Sequence, residues 1–320
     1  MSKIALANTE EVEGKEKRLP ISVVVPTLDR GSFLVRTIKD LLLQKPAPLE
    51  IIVVDQTSQH EPEIESAIKS WVREDKIVYI KSKKKGASHA RNVAIKAAKA
   101  KILLFVDDDI RAPKNLCLSH YVNYCPPHSY DGVAGCSPLP DETLVDDLPS
   151  EYFLKHVGWV FRPMNYSQRI ETCDLPTCNM SVKRNIAIAI NGFDERMIRL
   201  EDTDFSYRFK EYGAKAVYDP EARLTHLLAP TGAVRDILEP INQLVLSKKE
   251  RWVEYFYLVL KNFGIVYGWP ILWPYFRNNI FRKVLLFNPY YLYVALSEMI
   301  QGYFMAVQRM NALPKYIDKS

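Results

Sequence analysis

Four short apolar runs, at residues 21–25, 49–54, 77–80 and 102–106, alternate with stretches of helical periodicity. Leu34, Ile38, Leu41 and Leu42 recur at helical spacing before Pro46 and Pro48, and Ile64, Ala67, Ile68 and Trp71 repeat the pattern. The Ala-rich stretch ASHARNVAIKAAK supplies a third helix just before the fourth run. The runs are too apolar for half-exposed strands and suit a sheet covered on both faces. Strand and helix in strict alternation predict an α/β fold, Rossmann-like, with a mainly parallel sheet and helices on both faces.

Such sheets bind ligands at the carboxyl ends of their strands. Asp29, Asp55 and Asp107 each follow a strand at that edge. The last opens the run Asp107, Asp108, Asp109, three carboxylates that repel one another and need a counter-charge if buried. A hard divalent cation is the expected one, with Asp107 and Asp109 pointing the same way on extended chain. A second acidic cluster lies in LEDTDFSYRFKEYG. Phe205, Phe209 and Tyr212 mark one helical face there, so Glu201, Asp202 and Asp204 fall at a helix start, where carboxylates are favoured. One acidic residue would satisfy that preference; three suggest chemistry. His226, after a short strand, is a candidate third metal ligand.

No G-x-G-x-x-G follows the first strand and no G-x-x-x-x-G-K-[ST] occurs, which removes the main support for a dinucleotide oxidoreductase or a P-loop phosphotransferase. The five cysteines form no C-x-x-C pair, so a structural zinc site is not indicated and a reducing, cytoplasmic setting fits. The net charge of +5 is local. Residues 241–320 hold ten Lys/Arg against four Asp/Glu, while the first 240 hold 33 against 34, so general nucleic-acid binding is not expected.

The motifs VVVPTLDR, EIIVVDQTS, GASHARNVAIKAAKAKILLFVDDD, CNMSVKRNIAIAINGFDERM and LEDTDFSYRFKEYGAKAVYDPEARLTH occur in this order. Together they resemble the inverting glycosyltransferases of family 2, over roughly residues 20–230. The resemblance implies a GT-A fold and transfer of a hexosyl or deoxyhexosyl group from a nucleoside-diphosphate sugar to a glycan or lipid-linked acceptor. It implies that Pro26, Thr27, Asp29, Asp55, Arg91, Asp108 and Asn179 bind the nucleotide-sugar. It further implies that Asp107 and Asp109 hold Mn²⁺ or Mg²⁺, and that Asp202, beside Glu201, is the general base. Two departures stand out. Asp55 is followed by Gln56 and Thr57, where many members carry an acidic residue or Asn. The Q-x-x-R-W of processive synthases has only KKERW as its nearest match, with Lys248 in place of Gln, so a single transfer is expected. A sugar nucleotidyltransferase and a catalytically inactive scaffold are the competing readings.

The expected organisation is a flexible leader (1–19), a catalytic domain (20–235) with a nucleotide half (20–113) and an acceptor half (114–235), and a helical C-terminal appendage (236–320). Eighteen of the 36 aromatic residues fall within residues 241–320, mixed with Lys and Arg. That mixture suits either peripheral attachment to the inner face of the cell membrane or packing on the catalytic domain or across a homodimer.

Overall fold

The structure is a computed structural model. It describes residues 18–147, 153–154, 159–160, 164–230, 249–264, 268–269, 272–273, 276–277 and 289–312. Most of the expected leader (residues 1–17) and the start of the appendage (236–248) lie outside these residues.

The first part of the chain runs β1 (Leu19–Thr27), α1 (Ser32–Leu42), β2 (Pro48–Asp55), α2 (Pro62–Arg73), β3 (Val78–Lys81), α3 (Ala87–Ala97) and β4 (Ile102–Val106). β1 takes in Leu19, which is fully buried, so ordered structure begins inside the expected leader. After it come β5 (Ile110–Arg111), α4 (Leu116–Tyr121), β6 (Gly132–Cys136), the short pair β7 (Phe153–Leu154) and β8 (Trp159–Val160), β9 (Ile170–Thr172), β10 (Asn179–Lys183) and α5 (Arg184–Ala189). The chain continues through α6 (Glu201–Glu211), β11 (Ala216–Arg223), β12 (Thr225–His226), α7 (Lys249–Asn262) and α8 (Pro289–Asn311).

The main sheet has the order β3-β2-β1-β4-β10-β6-β11-β9. β3, β2, β1 and β4 are parallel, whereas β10 runs against both β4 and β6. The sheet is therefore parallel from β3 to β4 and mixed beyond β4. After β1 the chain builds outward to β3, then returns to place β4 on β1's other side. The crevice where that order reverses is where α/β sheets bind ligands.

Alternation along β1 sends Val23 and Val25 to one core with Leu34 and Ile38 of α1, and Val24 to another with Ala90, Ala94 and Ile95 of α3. Burial on both faces is why these strands are uninterruptedly apolar, and each buried Val or Ile contributes about 1.5–3 kcal/mol. α6 ends at Tyr212, with Gly213 at φ 84°, a left-handed turn glycine adopts without strain.

The appendage packs on this domain. Val253, Tyr257 and Leu258 of α7 form a cluster with Met197 and with Ala306 of α8, and Trp252 is buried. No described helix is long and apolar enough to cross a membrane.

Candidate active site

β4 delivers its three aspartates to the crevice beside the end of β1. The turn they form is pinned from below by Thr37 of α1. Its hydroxyl donates to the Asp108 carbonyl at 2.9 Å and accepts from the Ile110 N–H at 3.1 Å. The chain supplies one counter-charge itself. Arg30 Nε lies 3.1 Å from Asp108 Oδ1, and its Nη1 lies 3.4 Å from Asp109 Oδ2. Burial still pushes Asp108 up to about 7, because Arg30 only partly offsets its desolvation. Asp109, fully buried, goes the other way. Desolvation is outweighed by His226, Arg30 and the Ala229 N–H, and its carboxyl is held at about 2.

β12 pairs with β5 so that His226 stands opposite Ile110, next to the aspartate turn. Its Nε2 lies 3.1 Å from Asp109 Oδ1 and 3.6 Å from Asp107 Oδ2. One donor atom from each of Asp107, Asp109 and His226 falls within 4.8 Å of the others. Two carboxylate oxygens and an imidazole nitrogen suit a divalent cation. The half-exposed Asp107 opens this set to the crevice, while Asp109 closes it from behind.

Arg91 of α3 joins the two acidic clusters. Its guanidinium donates to Glu201 at 2.8 Å, lies 3.7 Å from Asp107 and sits over the Phe193 ring at 5.5 Å. Its buried Nε has no hydrogen-bond partner among the described residues. Glu201 is thus matched by a cation. Asp202 has no ion pair among the described residues: it accepts from the Thr203 N–H at 2.8 Å and from the Thr203 hydroxyl at 3.5 Å, and Arg91 only partly offsets its charge. Burial, then repulsion from Glu201 and Asp174, pushes its carboxyl up to about 7. Leu200, at φ 61°, starts the helix in a left-handed conformation rare outside glycine and asparagine.

Pro26, Thr27, Arg91, Asp107, Asp108, Glu201 and Asp202 all line one cavity of about 710 Å³. Three of the expected nucleotide contacts are placed elsewhere. Asp29 is exposed at φ 54° and is not among the lining residues. Asp55 is fully buried and accepts from Tyr79, His60 and the Thr57 N–H, and those bonds outweigh desolvation and lower its pKa. Asn179 lies apart from the cavity lining. It is fully buried, its amide donates to the Cys136 and Ala222 carbonyls, and its oxygen meets His120 Nε2 at 2.9 Å. Those bonds fasten β10 to its neighbours.

Several lining residues escaped sequence reasoning. Lys85 and Gly86 border the cavity from the KSKKKG loop, which Gln56 holds by donating to the Lys84 and Gly86 carbonyls at 2.5 and 3.1 Å. Arg251, Glu254 and Tyr255 of α7 close the far wall. Arg251 and Trp252 of KKERW therefore form no surface patch: one lines the cavity and the other is buried.

The model of the family described as glycosyl transferase family 2 matches residues 22–188, just over half of the chain. Validoxylamine A glucosyltransferase of Streptomyces hygroscopicus subsp. limoneus is 26% identical over 234 residues, covering 65% of this chain and 51% of that protein. The chain thus spans about half the length of that relative. Two solved glycosyltransferases share the GT-A fold. GalNAc-T7 with UDP, GalNAc and Mn²⁺ superposes with a TM-score of 0.55 at 14% identity, over 67% of this chain and 45% of that one. The mannosyltransferase PcManGT of Pyrobaculum calidifontis, with GDP-Man and Mn²⁺, gives 0.51 at 16%, over 96% and 79%. At such identities the likeness is one of fold.

Proposed function

The chain belongs to glycosyl transferase family 2, and on that premise we propose that it transfers a single sugar, with inversion, from a nucleoside-diphosphate sugar to an acceptor hydroxyl. The observation that carries this reading is the meeting of two unlike acidic groups in one cavity. Asp107, backed by Asp109 and His226 in a cation-type donor set, and Asp202, a carboxylate with no ion pair among the described residues whose pKa is raised to about 7, both line that cavity.

Asp202 takes the proton of the acceptor hydroxyl as that oxygen attacks the anomeric carbon. A base titrating near working pH is matched to this task, typically worth about 10²–10⁴-fold. Arg91 holds Glu201 and keeps its Nε for the donor's diphosphate. Asp107, Asp109 and His226 would hold Mn²⁺ or Mg²⁺, which when bound offsets the charge left on the departing diphosphate. Both structural neighbours contain Mn²⁺ with a nucleotide or nucleotide-sugar, which supports the same pairing here. One displacement requires no covalent enzyme intermediate. The donated group is hexosyl or deoxyhexosyl and the acceptor a glycan or lipid-linked glycan. The setting is cytoplasmic, in keeping with five free cysteines.

The test is titration calorimetry of UDP, dTDP and GDP with and without Mn²⁺ or Mg²⁺, followed by turnover of Asp202→Asn. Metal-dependent binding of one base, with turnover abolished and binding retained in Asp202→Asn, is the expected result. Near-normal turnover of the variant would overturn the base assignment. Failure of every nucleotide to bind would favour the inactive-scaffold reading.

A further inference from the structure

α8 has 23 residues and only two charges, Glu298 and Arg309. Its small residues face inward: Gly302 and Ala306 are buried, and Arg309 donates to Glu254 of α7. Its large ones do not. Tyr290, Tyr293, Ile300 and Phe304 are 67%, 70%, 52% and 60% exposed. Their spacing places them on one face, a stripe about 21 Å long. Soluble surfaces rarely leave such a stripe to water.

Ring contacts, edge-on and stacked, lead inward from the stripe toward the cavity wall. Phe304 contacts Tyr303, Tyr303 meets Phe256, and Phe256 stacks on Trp252, with centroids 5.5–5.7 Å apart. Trp252 reaches Phe276, which contacts Trp269 and Trp273, both about two-fifths exposed. The residue before Trp252 is Arg251, which lines the cavity.

The chemistry of the face selects its cover. Tyr and Trp combine an apolar ring with a polar tip and favour the headgroup zone of a bilayer. Ser297 and Gln301, which interrupt the stripe and share a hydrogen bond of 3.0 Å, keep their remaining polar groups wet at a headgroup boundary. Residues 241–320 carry a net charge of +6, complementary to anionic lipid. A helix that does not span but has one apolar face lies in the interface plane.

We infer that this face of α8, with Trp269 and Trp273, docks on an anionic lipid surface and brings a lipid-anchored acceptor to the cavity mouth; the acceptor class rests on the transferase reading above, the docking does not.

Flotation of the full chain with vesicles of phosphatidylcholine, or of equimolar phosphatidylcholine and phosphatidylglycerol, tests it. The chain floats with the anionic vesicles and much less with the neutral ones. Tyr290→Ser, Tyr293→Ser, Ile300→Ser and Phe304→Ser together lower the partition coefficient about a hundredfold or more. The single change Phe304→Asp, on a 60% exposed side chain, lowers it without risk to the core. Wild-type nucleoside-diphosphate affinity in both variants shows that they are folded. A wild-type chain that stays with the soluble fraction, or variants that float equally, would overturn the docking. So would a wild-type dimer in sedimentation that the variants lose, since a second copy would then cover the face. Flotation without any nucleotide binding would leave the docking standing and overturn the transferase reading instead.

Discussion

Lys261 Nζ of α7 lies 2.6 Å from Asp204 Oδ1 on α6, the helix whose first turn carries Asp202. The same ammonium lies 2.9 Å from Asp194, and both carboxylates are fully buried. Arg196 and Tyr257 complete Asp194, and Arg208 and Asn262 complete Asp204. The C-terminal appendage is thereby fastened to α6 by charge as well as by apolar packing. Lys261→Met leaves two buried carboxylates short of their shared cation and costs about 3 kcal/mol in urea unfolding. Adding Asp204→Asn recovers part of that loss, so the double mutant falls short of the sum of the singles. Strict additivity would show the pair to be uncoupled.

Glu201 helps hold the Asp202 pKa up. It is among the groups that raise the Asp202 pKa, second only to burial. Replacing a neighbouring negative charge by a neutral amide favours the ionised form and lowers that pKa. The sign for activity follows. A base is competent above its pKa, so wild-type kcat/KM rises through an acid limb near pH 7, and in Glu201→Gln that limb moves to lower pH. A pH profile of kcat/KM for both proteins measures the shift. An unmoved limb would mean that Asp202 is not the titrating base.

Asp107 is the better probe of the cation set than Asp109. Asp109 also holds the Ala229 N–H and faces Arg30, so its loss disturbs the fold around it. Asp107 is half-exposed, and among the described residues its ion-pair partners are Arg91 and His226, at 3.6–3.7 Å. Asp107→Asn is expected to weaken metal-dependent nucleoside-diphosphate binding at least tenfold, about 1.4 kcal/mol, with thermal stability nearly unchanged. Chelation of the wild type should match it. Calorimetry with and without Mn²⁺ separates the two effects.

The parts of this molecule that were legible beforehand are those encoded locally. β4 announces itself as five apolar residues ending in aspartates, and α1 by Leu34, Ile38 and Leu41 at helical spacing. Arg30 was not legible, because its partners lie 78 and 79 positions away and a lone loop arginine carries no pattern. The partners of Asn179 were equally out of sight: the carbonyls of Cys136 and Ala222 that hold its amide each lie 43 positions away. The direction of β10 is likewise invisible in its five residues and emerges only from its pairing with β4. In the appendage, aromatic residues that pack inward (Trp252, Tyr257) and outward (Tyr290, Tyr293) have the same composition, so only the fold could sort them.

His120 gives the fold its own pH dependence, away from the cavity. It is fully buried on α4, its Nε2 2.9 Å from Asn179 Oδ1 and its Nδ1 2.9 Å from Ser181 Oγ. An amide oxygen only accepts, so Nε2 donates, and Ser181 Oγ, which already receives the Tyr124 O–H, is free to donate to Nδ1 of a neutral ring. Burial accordingly lowers its pKa to about 4, from 6.5. The unfolded chain binds a proton below pH 6.5 while the folded one refuses it. Stability from this residue is therefore intact above pH 6.5 and falls as pH drops toward 4, by up to about 1.4 kcal/mol per pH unit. His120→Gln retains a donor and an acceptor of similar reach but does not titrate. Urea unfolding at pH 7 and pH 5 should show a smaller loss in the variant than in the wild type, and equal losses would place the acid sensitivity elsewhere.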